Sequence, residues 1–331
     1  MAKKPAVSVI LASYNHARFV ERALKSVLNQ TIKDFEIIIV DDGSTDGTPE
    51  IIEKINDSRI RLIKLKENRA VHPRNLALGF AQGKYIAFQN SDDEWLETKL
   101  EKQLEIFEKN KSLSACFTSV KIINENGQEQ TETWAKDIFR SENHSQIEWL
   151  RHFFDYGNCL AIASAVVRKN AIIKLGSFRE SLVQLSDYDL WIRLAGLGNF
   201  FVTSEQLTKI RIIGNTNFSA PSGEASRRSK FEFAEVLGRY LEKPVSKYLR
   251  KIFSDIIISN NSSELINIVS LIKYAWKIKT PYHRLFANSS FGKLIDDRKK
   301  RNKIVKVFGS DIILQYIHNK STIEYSLQTT I

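Results

Sequence analysis

Apolar positions in the first hundred residues fall into two alternating patterns. Val7-Ser8-Val9-Ile10-Leu11 is a short β-branched run, and after it Phe19, Val20, Ala23, Leu24, Val27 and Leu28 recur at helical spacing. Phe35-Glu36-Ile37-Ile38-Ile39-Val40 is almost continuously apolar, which predicts a strand buried on both faces of a parallel sheet. Arg61-Leu62-Ile63-Lys64-Leu65 predicts a third strand and Tyr85-Ile86-Ala87-Phe88 a fourth. Between them Pro73 opens a helix through Arg74, Leu76, Ala77 and Phe80, because proline suits the first helical turn. Another helix is expected to begin near Trp95. Strands alternating with helices imply right-handed crossovers and a parallel sheet. The fold class is α/β.

Beyond residue 222 the pattern changes. Helices are expected over 226–241, 246–258, 263–277 and around 303–318, with Pro244 and Pro281 as punctuation. Two domains follow, 1–222 and a helical module at 223–331. That module holds 20 Lys+Arg against 10 Asp+Glu, so it carries +10 of the formal +11 of the chain. Arg298-Lys299-Lys300-Arg301 is its densest basic cluster, and Lys273 to Lys277 and Tyr282 to Phe286 read as aromatic-basic amphipathic segments. Such helices suit an anionic membrane surface or a packing face in a homo-oligomer. Nucleic acid is not expected, because no recognisable reading motif accompanies the charge.

The rest of the composition changes little. With 331 residues and 43% hydrophobic content the chain can bury a large core. Cys116 and Cys159 are too few for a disulfide framework, and Met1-Ala2-Lys3-Lys4-Pro5 runs straight into the first strand. No apolar run approaches the roughly 18 residues that span a bilayer. These features predict a cytoplasmic protein, peripheral on the inner face of the plasma membrane if the basic helices dock there.

Candidate chemistry sits at strand ends. Asp92 and Asp93 follow the fourth apolar run, where open α/β sheets hold their ligands. Adjacent carboxylates there suit a divalent cation carrying a phosphorylated substrate, or an acidic turn capping a helix. The second strand ends in Asp41-Asp42-Gly43-Ser44-Thr45-Asp46-Gly47-Thr48-Pro49, with glycines that permit tight turns.

Together with Ser13-Tyr14-Asn15, Ser26-Val27-Leu28-Asn29-Gln30-Thr31, Arg74-Asn75-Leu76-Ala77 and Leu185-Ser186-Asp187-Tyr188-Asp189-Leu190-Trp191, these motifs resemble inverting family 2 glycosyltransferases. The resemblance covers roughly the first two-thirds of the chain. It implies a GT-A fold, Rossmann-like, with a mostly parallel central sheet flanked by helices. It also implies a nucleotide-sugar donor, UDP by default with dTDP as an alternative, and a glycan or lipid-linked acceptor. On the donor side it points to Ala12, Tyr14 beside the nucleobase, Asp42 on the base N–H, Arg74 on the nucleotide and Asp92 on the sugar-ribose side. Asp93 would hold Mg²⁺ or Mn²⁺, with Asp92 next to it. Asp41, Asp189, Trp191 and Arg211 are secondary candidates, and Asp41 also reads as a turn residue.

Asp187 is the candidate general base, in the first turn of a helix whose apolar face is marked by Leu190, Trp191 and Leu194. Three departures from the family pattern stand out. Ser186 replaces a usual Glu, Ala12 a common proline, and Ile213 a histidine in Ile210-Arg211-Ile212-Ile213. Closure over the donor is expected from 214–223. The sequence thus predicts a metal-dependent inverting transferase of bacterial glycan assembly. A retaining GT-A enzyme and an inactive nucleotide-sugar-binding regulator stay open.

Overall fold

The computed structural model describes residues 4–68, 72–139, 142–213, 223–257 and 263–328. Eight strands among them form one sheet: β1 (Val7–Ser13), β2 (Phe35–Asp41), β3 (Ile60–Lys64), β4 (Tyr85–Asn90), β5 (Glu94–Trp95), β6 (Leu113–Ile123), β7 (Val166–Arg168) and β8 (Asn199–Arg211). Their order is β3-β2-β1-β4-β7-β6-β8-β5. β3, β2, β1 and β4 are mutually parallel, as the apolar runs predict. β7 is antiparallel to both of its neighbours, β6 and β8 are parallel, and β5 closes the edge antiparallel to β8. The sheet is therefore a parallel half joined to a mixed half.

Strand alternation divides the core in two, because successive side chains point to opposite faces. Val7, Val9 and Leu11 of β1 join one apolar cluster, with α1 (Val20–Leu28) and α4 (Lys99–Lys109) packed on it. Ile10 joins the other. Between these helices α2 (Thr48–Glu53) and α3 (Pro73–Phe80) complete the crossovers, and α5 (Gln146–Tyr156), α6 (Lys169–Lys174) and α7 (Ser186–Ala195) follow. The helix expected near Trp95 is α4, which starts at Lys99, because Glu94 and Trp95 themselves form β5. The Trp95 indole is 3% exposed and donates to the Ala163 carbonyl at 2.9 Å, so packing of the ring outweighs the helix-start signal.

The tail is helical but differently divided: α8 (Gly223–Leu237), α9 (Leu249–Ile252), α10 (Glu264–Lys277), α11 (Pro281–Ile295), α12 (Arg298–Phe308) and α13 (Asp311–Gln328). The expected helix at 246–258 shrinks to a 3₁₀ turn and the four residues of α9. The expected helix around 303–318 breaks at Gly309, whose φ of +79° no helix can hold. One apolar cluster runs from Ile10 of the sheet through Phe154 of α5 to Phe286, Phe291 and Ile304 of the tail. The boundary at 222/223 is thus not a gap in the core. Among the described residues no helix is long and apolar enough to cross a membrane, and both cysteines are buried.

Candidate active site

A cleft of about 920 Å³ opens at the carboxyl ends of β1, β2 and β4. Its size falls in the range of small-molecule sites, roughly 300–1,000 Å³. Eight of the eleven candidates line it: Ala12, Tyr14, Asp42, Arg74, Asp92, Asp93, Asp187 and Arg211. Asp41, Asp189 and Trp191 do not.

Two strand ends shape the first wall. Tyr14 leaves β1 with its ring 44% exposed. Asp41, the last residue of β2, turns inward: its carboxylate accepts from Ser13 Oγ at 2.6 Å, Ser44 Oγ at 2.7 Å and Ser44 N at 2.9 Å. Asp41 therefore stitches β1 to the turn and leaves the cleft to Asp42. Gly43 allows this turn, because its φ is +75° and an added Cβ would lie 2.5 Å from the Glu67 carbonyl carbon.

The end of β4 carries the acid pair. Asp93 is 2% exposed and accepts from Arg211 N at 2.8 Å and Asn90 Nδ2 at 2.9 Å. Asn90 Oδ1 accepts from the Arg74 guanidinium at 2.8 Å, so one amide links the cation to the acid. Burial pushes both carboxyls above their ordinary range. For Asp93 the charge of Asp92 adds to the rise, and for Asp92 His16, Arg211 and Arg74 oppose it. The Arg211 guanidinium is spent on Glu94 and on the carbonyls of Asp92 and Asn124. It braces the acid pair from behind and is not presented to a diphosphate.

Burial lifts the carboxyl of Asp187 to about 6, opposed by the Tyr188 N–H, the charge of Arg74 and Asn158. Asn158 Nδ2 lies 3.2 Å from Asp187 Oδ2. The loop in front of Asp187 is held from the tail. Glu232 of α8, 7% exposed, accepts from the backbone of Val183 at 3.0 Å, Gln184 at 2.9 Å and Leu185 at 2.7 Å. Asp189 faces the other way. Fully buried, it is held between Arg193 and Arg239, which makes it an internal ion-pair hub and not a base. Trp191 is also fully buried, edge-on to Phe117 at 4.9 Å, and belongs to the core.

The sequence reading missed four polar residues. His16 bonds Ser91 Oγ at 2.7 Å, and both line the cleft. Asn90 precedes the acid motif at a strand end, so a local signal existed for it. Asn158 lies 29 residues from Asp187, and Glu232 47 residues from Leu185; nothing local announces either. The expected closing loop at 214–222 lies outside the described residues.

A divalent cation fits the acid pair. A buried and a half-buried carboxylate, mutually repelling, share the end of β4, and no third His, Cys, Asp or Glu joins them among the described residues. Further oxygen ligands would come from a substrate's phosphates and water, as at other Mg²⁺ sites.

The sheet, with an acid pair past one parallel strand end and a separate carboxylate at the foot of α7, has a GT-A-like fold. The chain belongs to glycosyl transferase family 2, which matches residues 8–168, and it is a glycosyltransferase. A glycosyltransferase of Methanocaldococcus jannaschii is 34% identical over 221 residues, 65% of this chain and 73% of that protein. TuaG of Bacillus subtilis, named for teichuronic acid biosynthesis, is 46% identical over 127 residues, 38% of this chain and 50% of that protein. The structure of S. aureus TarS 1-349 with UDP-GlcNAc aligns with a TM-score of 0.56, covering 98% of this chain and 91% of that one. At 18% identity that likeness concerns the fold alone.

Proposed function

We propose that this enzyme is an inverting, metal-dependent transferase that moves a sugar from a UDP-sugar to an acceptor hydroxyl in surface polysaccharide assembly. The observation that carries the reading is Asp187: a carboxyl raised to about 6 on the same cleft as Arg74 and the acid pair. A base with that pKa is ionised at neutral pH yet still takes a proton readily. The names of TuaG and of TarS bound to UDP-GlcNAc support the nucleotide and the polymer context.

In this reading Tyr14 stacks on the nucleobase, Asp42 accepts a base N–H, and the Arg74 fork pairs with the diphosphate. Asp93 holds the cation with Asp92 beside it. Mg²⁺ or Mn²⁺ bound there supplies positive charge against the leaving diphosphate. Asp187 takes the proton from the acceptor hydroxyl, whose oxygen attacks the anomeric carbon from the face opposite the nucleotide. The bond to the diphosphate breaks through an oxocarbenium-like transition state, and the nucleoside diphosphate departs. A panel of nucleotide sugars assayed with Mn²⁺ and with EDTA tests this. Mn²⁺-dependent release of UDP with inverted product anomer by NMR is expected. Full activity in EDTA defeats the metal site, and a retained anomer defeats the role of Asp187.

The proposed working place is the cytoplasmic face of an anionic membrane, with a lipid-linked acceptor. Support comes from Arg298, Lys299, Lys300 and Arg301, all exposed at the start of α12, and from exposed Val307, Leu314 and Ile317 nearby. Co-sedimentation with anionic vesicles should weaken with salt and on replacing the four cations by Gln, at about 1 kcal/mol per charge. Salt-independent self-association would make that surface an oligomer contact instead.

A further inference from the structure

A second cavity of about 190 Å³ adjoins the cleft. The two share a partition made of Phe139, Leu160 and Ala161. Leu160 and Ala161 of that partition follow shortly after Asn158, the residue bonded to Asp187. Its origin is a distortion of the sheet. β6 and β8 pair Thr118 with Thr203 and then Ser119 with Gln206, so Ser204 and Glu205 bulge out of register and the ladder opens. Bulges of this kind re-aim side chains beside active sites.

The chemistry of the recess is specific. Thr118, Ser119, Ser164, Ser204 and Gln206 line it, and among the described residues none of the lining side chains is charged. Ser119 Oγ donates to the Thr203 carbonyl at 3.0 Å and Ser164 Oγ donates to the Ala161 carbonyl at 2.7 Å. With their protons committed, these hydroxyls offer lone pairs. An acceptor-rich, uncharged recess suits a ligand that brings many O–H donors and no negative charge. In the adjoining cleft the 131–139 segment adds Trp134 and the exposed Ile138. An aromatic face suits the C–H face of a pyranose.

Resting on the reading of Asp187 as the base, we infer that the recess and Trp134 form the acceptor subsite, and that its occupant is an uncharged sugar. A neutral hexose or N-acetylhexosamine at the growing end would put its hydroxyl at Asp187. A hexuronic acid or a sugar phosphate would bring its anion into a recess whose lining, among the described residues, carries no charged side chain. This subsite would distinguish the enzyme from one that extends a uronic acid terminus.

Two measurements test the inference. Saturation-transfer NMR with methyl glycosides of a neutral hexose, an N-acetylhexosamine and a hexuronic acid, in the presence of UDP, reads the subsite without turnover. Binding of a neutral glycoside is expected, with the uronate at least tenfold weaker. Ser204→Leu, which fills the recess from an exposed bulge position, and Trp134→Ala should each weaken glycoside binding at least tenfold while UDP affinity holds. In turnover the same variants should raise acceptor KM with little change in donor KM. A preference for uronate or phosphate, or glycoside binding untouched by both variants, overturns the inference. Glycoside binding without any sugar transfer from a broad donor panel would instead defeat the reading of Asp187 and leave the subsite standing.

Discussion

The two halves of the cleft are built in different ways. In the donor half, Tyr14, Asp42 and the Asp92-Asp93 pair each stand at or just past the carboxyl end of a parallel strand. Each strand is announced by its own apolar run, so a short stretch of sequence places each side chain. The half around Asp187 has no such scaffold. Asp187 sits at the foot of α7, gripped by Asn158 from the α5 side and by a loop that Glu232 of α8 pins through three backbone N–H groups. Strand ends make a binding edge almost automatically. The proposed general base depends on segments remote in sequence that converge on one carboxylate.

The comparison breaks most sharply at the acid pair. Asp93→Asn keeps the shape, gives up one of the two oxygens that accept from Arg211 N and Asn90, and halves the anionic charge of the proposed cation site. Transfer should fall below detection and UDP affinity should lose its response to Mn²⁺, by calorimetry with and without metal. Wild-type activity in this variant would mean that the donor half works without a cation.

Asp187→Asn comes next. It keeps the shape and one of the two bonds accepted from Asn158 and the Tyr188 N–H but cannot take a proton, so kcat should fall about 10²–10⁴-fold with donor affinity preserved. In the wild type, activity should drop about tenfold per pH unit below about 6, where the carboxyl protonates, and hold above it. Loss of that acid limb in Asp187→Asn ties it to the base; collapse of donor binding in the variant would make Asp187 structural.

Glu232→Ala sharpens the contrast at a distance. Three backbone donors would lose their partner, and the loop leading to Asp187 would drift. A misplacement of about 1 Å costs up to ~10²-fold in rate, so kcat should fall by about that factor while donor KM holds. Glu232→Gln, which keeps one acceptor oxygen, should recover part of the rate. Equal loss in both variants, with a collapsed melting temperature, would reduce Glu232 to a fold-stabilising residue.

Legibility in the sequence followed the same divide. The parallel order of the first four strands, the helix opening at Pro73 and the acid pair were readable from periodicity and turn residues. The helix expected near Trp95 starts four residues later, at Lys99, because the Trp95 ring is buried and its strand is completed by β8, more than 100 residues later. In the tail, the aromatic-basic residues 282–286 open α11, and their apolar side covers Phe154 through His283 and Phe286. Sequence spacing could not say which surface would cover them.

Two neighbouring pairs of carboxylates mark the limit. The sequence by itself determined that Asp41 and Asp42 end a strand and that Asp187 and Asp189 begin a helix. Period two turns the first pair to opposite sides, and about 100° per residue turns the second pair some 200° apart, so one member of each must face away from the other. Neither period says which member meets the cleft. Tertiary structure decided it: Ser13 of the adjacent strand claims Asp41, and Arg239, 50 residues downstream, claims Asp189. A carboxylate enclosed by such partners has its hydrogen bonds met where it stands, and only Asp42 and Asp187 are left to line the cleft.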